Sequence, residues 1–215
     1  MDLMEVVRTR RSIRKYKPDA IPQDLLREIL EAARLAPSGV NRQPWRFVLV
    51  ADPQLKKLIK AASFNQRFVE EAPLLVVCCA DLQAYKSENV RKRVTELIDI
   101  GALAKESINW YPQENDDEKT LLTKYGLGVT LNVAIAVEHL VLAAASFGLG
   151  TCWVQRMKPE EIRNILGLPD NMLVVALLPM GYPAEDPGPR PRLSLDEIII
   201  DREGILYNDR SENHE

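Results

Sequence analysis

The stretch "GLGVTLNVAIAVEHLVLAAASFGLG" (residues 126–150) is long and apolar enough to span a bilayer, and its reading decides the fold. Asn132, Glu138 and His139 interrupt it, and groups of this kind are costly in lipid. The stretch therefore reads as a helix buried in a protein core, stopped by Gly148 and Gly150. A buried helix needs layers around it, and the neighbouring segments supply them. "PLLVVCCAD" (73–81) is a continuous apolar strand covered on both faces. "WRFVLVAD" (45–52), "TCWVQ" (151–155), "NMLVVALLPMGYP" (171–183) and "SLDEIIID" (194–201) read as further extended segments. Helices are expected where Asp2 caps Leu3, Val6 and Val7, and where Pro22 precedes Leu25, Leu26, Ile29, Leu30 and Ala33. Two more open at Asp52-Pro53, with Leu55, Leu58 and Ile59 on one face, and at "PEEIRNILG" (159–167). Helices alternate with about five strands, so the class is α/β or α+β.

At 215 residues, 46% apolar and 27% charged, the chain has the make-up of one ordinary globular domain. Its 28 Lys+Arg against 31 Asp+Glu argue against broad nucleic-acid or membrane-surface binding. Three cysteines, Cys78, Cys79 and Cys152, fit reduced buried thiols, and no metal-ligand spacing is present. The N-terminus shows no secretory signal, so a cytoplasmic location is expected. Residues 86–125 differ from the rest. Val90, Val94, Leu97 and Ile98 suggest a helix running through "INWYPQENDDEK" (108–119) into a polar loop. This excursion is either a lid, with Trp110, Tyr111 and Tyr125 stacking on a ring, or a helix and loop packed on the surface.

Against the acidic balance stands "TRRSIRKYKPD" (9–19): from Arg8, just before it, to Lys17 there are six basic residues and no acidic one. Arg10, Arg11 and Arg14, with Ser12, offer planar forks and a hydroxyl suited to one phosphate. A solvated loop with scattered ion pairs explains the run equally well. "APSGVNRQPWRF" (36–47) crowds Ser38, Asn41 and Gln43 after an abrupt helix exit at Pro37 and Gly39, as an edge-reading site for a flat heterocycle does. "RPR" (190–192) adds Arg190 and Arg192 on a proline-stiffened loop. His139 reads as a hydrogen-bonded core histidine, and Glu138 as a carboxylate needing a partner, either an arginine of the basic loop or a subunit boundary. No nucleotide-binding glycine motif, nucleophile arrangement or metal set is visible, which favours chemistry carried by a cofactor.

In order, "RRSIRKY", "APSGVNRQPWRFV", "FNQRFVEEAPLLVVCCAD", "VEHLVLAAASFGLGTCWV", "LLPMGYP" and "RPRLSLDEII" resemble the FMN-dependent nitroreductase superfamily over nearly the whole chain. The resemblance implies an α+β protomer, residues 1–215 as a single domain with a helical excursion at 86–125, and a central mixed β-sheet flanked by helices. It further implies an interwoven homodimer with FMN at the subunit interface. Arg10, with Arg11 and Ser12 in support, would hold the phosphate, and Arg14 would face N1 and O2 of the flavin, stabilising its reduced state. Pro37, Ser38, Gly39 and Asn41 would reach the flavin from the partner subunit, and Asn65 would bond its pyrimidine edge. Phe68 stands where relatives often carry lysine. Backbone groups of Trp153, Val154, Gln155 and Arg156 would lie along the ring, and Arg192 with Arg190 would complete the phosphate site. The implied reaction is ping-pong: NAD(P)H gives hydride to FMN, and a nitroaromatic, quinone or similar acceptor takes the electrons. Reductive dehalogenation, flavin fragmentation and a non-catalytic flavin-binding or redox-sensing role share the same motifs.

Overall fold

The computed structural model describes residues 2–111, 116–203 and 205. The chain opens with α1 (Leu3–Thr9), where the Asp2 carboxylate accepts from the Met4 and Glu5 amides as an N-cap. The basic loop follows, then α2 (Gln23–Arg34), β1 (Trp45–Val50), α3 (Pro53–Ala62), the short α4 (Phe68–Glu71) and β2 (Leu74–Asp81). Asp52 caps α3 through the Leu55 amide, and Pro53 occupies the first turn, where its missing N–H costs nothing. Next come α5 (Ser87–Asp99), α6 (Glu118–Ser146), β3 (Gly150–Thr151), α7 (Pro159–Ile165), β4 (Met172–Gly181) and α8 (Leu195–Ile198).

The sheet order is β1-β2-β4-β3, and every ladder between these strands is antiparallel. The expected mixed sheet survives only as an isolated parallel bridge between Ser12 and Thr151. Every residue of β2 is buried, as an apolar strand between two layers requires. Alternate residues face opposite cores. Leu74, Val76, Cys78 and Ala80 pack with Ile29 of α2 and with Val133, Val137 and Leu140 of α6. Leu75, Val77 and Cys79 pack with Ile59 of α3, Val69 of α4 and Ile162 of α7. The result is three layers with the sheet in the middle. By length and composition α6 could cross a membrane, yet Val129, Val133, Ala136, Val137, Leu140 and Val141 lie in the protein core.

Three expectations change. The long helix begins at Glu118 and not near Gly126, capped by Asp117 on the Thr120 amide, so the excursion is shorter and ends inside α6. "SLDEIIID" folds into a helical turn because Ser194 and Glu197 form a reciprocal capping box. Leu58 is 53% exposed and lies off the buried face that carries Ile59. Within the 108–119 loop, residues 112–115 lie outside the described residues, as does His214.

Candidate functional site

The basic loop lies along the sheet edge because two glycines leave room for it. A Cβ on Gly150 would stand 2.5 Å from Cγ1 of Ile13, and one on Gly181 would stand 2.6 Å from the Pro73 ring. The two glycines are cross-strand partners. Ile13, 5% exposed, fills the space over Gly150. Backbone bonds then stitch the loop to β3 and to the segment after β4. The Ile13 amide donates to Thr151 O (2.9 Å), the Lys17 amide to Tyr182 O (2.8 Å) and the Ala184 amide to Lys15 O (2.9 Å). The Tyr16 hydroxyl donates to Ile13 O at 2.6 Å and also lies 3.2 Å from Pro179 O. Burial holds that phenol far above its ordinary pKa, so it stays a donor. The Glu185 carboxylate accepts the Arg14 amide at 2.7 Å, a contact across 171 residues of chain.

These ties bring the two arginine-bearing loops together. Arg10, Arg11, Ser12 and Arg14 share one cavity of ≈ 310 Å³ with Pro187, Arg190 and Arg192. Among the described residues no acidic side chain lines it. The concentration of guanidinium groups in one concave site is the arrangement a phosphate monoester needs. Arg14 also stacks over the Phe68 ring, its guanidinium carbon 5.7 Å from the centroid. In this way the basic loop meets the turn carrying Asn65, whose φ of 56° follows a φ of 55° at Phe64. Arg156 covers the Phe64 ring at 4.9 Å, and the Gln66 side-chain Nε2 donates to Arg156 O at 2.9 Å. The thiol of Cys152 sits beside these groups. Burial raises its pKa against the opposing pull of Arg14, Ser12 and Arg10, so it is not poised as a nucleophile.

Two residues at the strand end make specific contacts, and of the two placements expected for Glu138 only the arginine pairing is absent within the chain. Val154 is buried, and its N–H and C=O both bond Leu177 at 2.9 Å, so its amide is not free for a ring contact. Glu138 is exposed, and its carboxylate accepts the Trp153 indole N–H at 3.1 Å, not an arginine of the basic loop. His139 is half-buried with Nδ1 3.3 Å from Ala32 O, as a core histidine. Glu185, Tyr16 and the glycine pair are not legible as site residues in the sequence, because their roles depend on long-range contacts.

Pro37, Ser38, Gly39 and Asn41 lie elsewhere. The backbone there is strained, with φ of 44° at Val40, 54° at Asn41 and 50° at Gln43. Ser38 Oγ accepts the Gln43 amide (2.9 Å), and Asn132 Oδ1 on α6 accepts the Gly39 amide (3.0 Å). The basic loop, by contrast, borders a cavity lined by Ala145 and Gly148 at the far end of α6. Thirteen helical residues from Asn132 to Ala145 correspond to about 20 Å. Among the described residues no group of three His, Cys, Asp or Glu side chains is placed to hold a metal ion.

Comparison with known proteins agrees with this geometry. A protein named NADH dehydrogenase from Thermus thermophilus is 36% identical over 209 residues, covering 93% of this chain and 96% of that protein. An FMN reductase [NAD(P)H] from Bacillus subtilis is 29% identical, covering 95% of this chain and 74% of its own. The crystal structure of a "putative nitroreductase in complex with FMN" from Exiguobacterium sibiricum superposes with a TM-score of 0.73 at 25% identity, over 94% of this chain and 98% of that one. The family model described as "Nitroreductase family" matches residues 7–182, and the chain belongs to that family.

Proposed function

We propose that the protein is an NAD(P)H-dependent FMN oxidoreductase that reduces electron-poor acceptors such as nitroaromatics and quinones by a ping-pong cycle. The observation that carries this reading is the convergence of Arg10, Arg11, Ser12, Arg14, Arg190 and Arg192 on one cavity, in a nitroreductase-family chain. The residues fit the cofactor: the cavity offers cations for a phosphate, and Arg14 extends from it toward the Asn65 turn. When bound, FMN supplies a carrier that takes hydride from the nicotinamide and passes electrons on. Arg10, Arg11, Arg190 and Arg192 hold its phosphate, with the Ser12 hydroxyl in support. Arg14 sets a fixed cation toward the N1–C2=O end, where negative charge must be held. Asn65 offers an amide to the pyrimidine edge. Trp153, Gln155 and Arg156 lie on the segment that runs beside this turn, and the Gln66 bond fixes their position.

The Pro37–Asn41 loop belongs to a second copy's flavin. It sits about 20 Å along α6 from the basic loop of its own chain, too far to close the same site. A homodimer brings the two together, and the exposed apolar surface supports one. Leu127 and Leu131, one turn apart on α6, are 87% and 60% exposed, and Leu195, Ile198 and Ile200 are exposed near the C-terminus.

The test is direct. Purified protein should be yellow, dimeric by light scattering, and bleached by NADH or NADPH without oxygen. Re-oxidation by nitroaromatics, quinones, enones or halophenols then ranks the acceptors. Protein that cannot retain FMN overturns the reading, and a flavin that no nicotinamide bleaches reduces it to passive flavin binding.

A further inference from the structure

A second basic pocket, of ≈ 280 Å³, lies where β1 begins and β2 ends, lined among others by Arg42, Arg46, Asp81, Asn89, Lys92 and Arg93. The Arg10 loop meets the sheet at the other end, where Gly181 packs on Pro73 and Tyr16. The eight residues of β2 separate the two ends by roughly 25 Å. Within one chain this pocket is therefore separate from the Arg10 cavity.

Its charges are only partly balanced. Arg46 pairs with Asp81 at 2.9 Å, and the other Asp81 oxygen accepts the Gln83 amide (3.0 Å) and the Asn171 side chain (2.8 Å), so this carboxylate is already engaged by three donors. Arg93 pairs with Glu96 at 2.7 Å. Arg42 and Lys92 have no ion-pair partner among the described residues. Arg42 is held in place, its guanidinium 5.0 Å over the Tyr85 ring and one nitrogen 3.2 Å from Gly39 O. Its Nε is nevertheless buried with no hydrogen-bond acceptor. A buried guanidinium N–H without an acceptor is costly, and native proteins normally satisfy such groups.

We propose that this pocket binds a phosphate or diphosphate group. Arg42 supplies the fixed fork, Lys92 the mobile charge and Asn89 an amide donor. Tetrahedral phosphate oxygens accept from several directions at once, which suits this spread of donors better than one carboxylate does. The volume takes a phosphate-bearing group and not a whole dinucleotide. Two sources carry that chemistry: the nicotinamide dinucleotide, or a free inorganic anion. The first rests on the proposed function, because Arg42 bonds the Gly39 loop that faces the partner's flavin in that reading.

Inorganic pyrophosphate is titrated calorimetrically into FMN-saturated protein, so that the Arg10 cavity is already filled. Lys92→Glu, on the exposed face of α5, is compared with Lys57→Glu, the same charge change on α3 away from the pocket. Lys92→Glu should weaken pyrophosphate about tenfold or more, as loss of a charged hydrogen bond does, and Lys57→Glu should leave it unchanged. Equal effects of the two variants, or no saturable binding by the wild type, overturn the proposal. Should the protein not retain FMN, the same pair of variants on flavin-free protein tests the pocket, while the flavin assignment alone has failed. Steady-state kinetics then name the source. A raised KM for NADPH alone marks the 2′-phosphate, raised KM for both nucleotides marks the diphosphate, and neither change marks a free anion.

Discussion

Replacing Gly150 by alanine puts a methyl carbon 2.5 Å from Cγ1 and 2.7 Å from Cβ of Ile13. Carbon atoms pack at about 3.5–4.0 Å, so Ile13 must withdraw by about an ångström. Cβ is fixed to the backbone, and swinging the end of the side chain cannot relieve the clash. The loop itself must move, and the Ile13 amide bond to Thr151 O goes with it. Overpacking of this kind costs about 1–3 kcal/mol, and the lost hydrogen bond about 0.5–1.5 kcal/mol. For a chain of this length the sum corresponds to a fall in Tm of roughly 3–18 °C, read at constant protein concentration. Ser12 and Arg14 flank Ile13, so FMN affinity by fluorescence quenching should weaken at least about tenfold, the loss of one charge-assisted contact. Ile13→Ala destabilises alone through the cavity it leaves, but the double variant should cost less than the sum, since the alanine at 150 then has room. A Gly150→Ala protein with unchanged Tm and FMN affinity would refute the claim that this close approach positions the basic loop.

Arg14→Ala should leave flavin bound through the remaining arginines but lower its two-electron reduction potential by about 20–60 mV, since the cation opposite the reduced flavin's charge is gone. Redox titration against a dye couple measures this, and an unchanged potential removes Arg14 from that role. Alkali gives a separate expectation for the core. Burial pushes the Cys79 thiol up to about 12, whereas the unfolded thiol ionises near 8.5. The stabilising contribution is fully present below pH 8.5 and is lost as pH rises toward the folded value, because only the unfolded chain releases the proton. Between pH 8.5 and 10 each such thiol contributes a slope of up to about 1.4 kcal/mol per pH unit. Urea melts of Cys79→Ala should be flatter by about that amount over this window, and an identical slope would refute the assignment.

Elements that bury a whole face are legible in the sequence. β2 announces itself because seven consecutive apolar positions, Leu74 to Ala80, leave no room for a solvent-facing alternation, and α1 and α3 carry their caps as Asp2 and Asp52. The start of α6 is not legible, since Thr123, Gly126, Gly128 and Thr130 are weak helix formers that only packing against the core overrides. The turn at Leu195–Ile198 does carry a local signal. Its Ser-x-x-Glu is a capping box, and the isoleucines that follow mask it by favouring an extended segment. At the site, the arginines are legible as residue types, and the resemblance implies their convergence, but spacing alone does not give it. Arg14 and Glu185 meet across 171 residues, and no periodicity encodes such a distance. The glycines at 150 and 181 look like helix and strand stops, and only the positions of Ile13 and Pro73 show why a side chain cannot stand there.

The three polar residues that exclude a membrane reading of the long helix also explain how the site is hung from it. Asn132 accepts the Gly39 amide and donates to the Tyr85 hydroxyl (2.8 Å) and to Gly128 O (2.7 Å), which fixes the strained Pro37–Asn41 loop to the first half of α6. Glu138, about 9 Å further along, holds the Trp153 indole and with it the segment beside the Asn65 turn. His139 faces Ala32 and ties α6 to α2. In lipid each of these groups would be a cost. In this fold each is satisfied by a segment that the helix must position, at successive heights along one rigid rod. A helix apolar at all three positions would still fill the core, but the loop, the Trp153 segment and α2 would lose their common reference. The polar interruptions are thus the points at which a packing element also sets the positions of the Pro37–Asn41 loop, the Trp153 segment and α2 relative to one another.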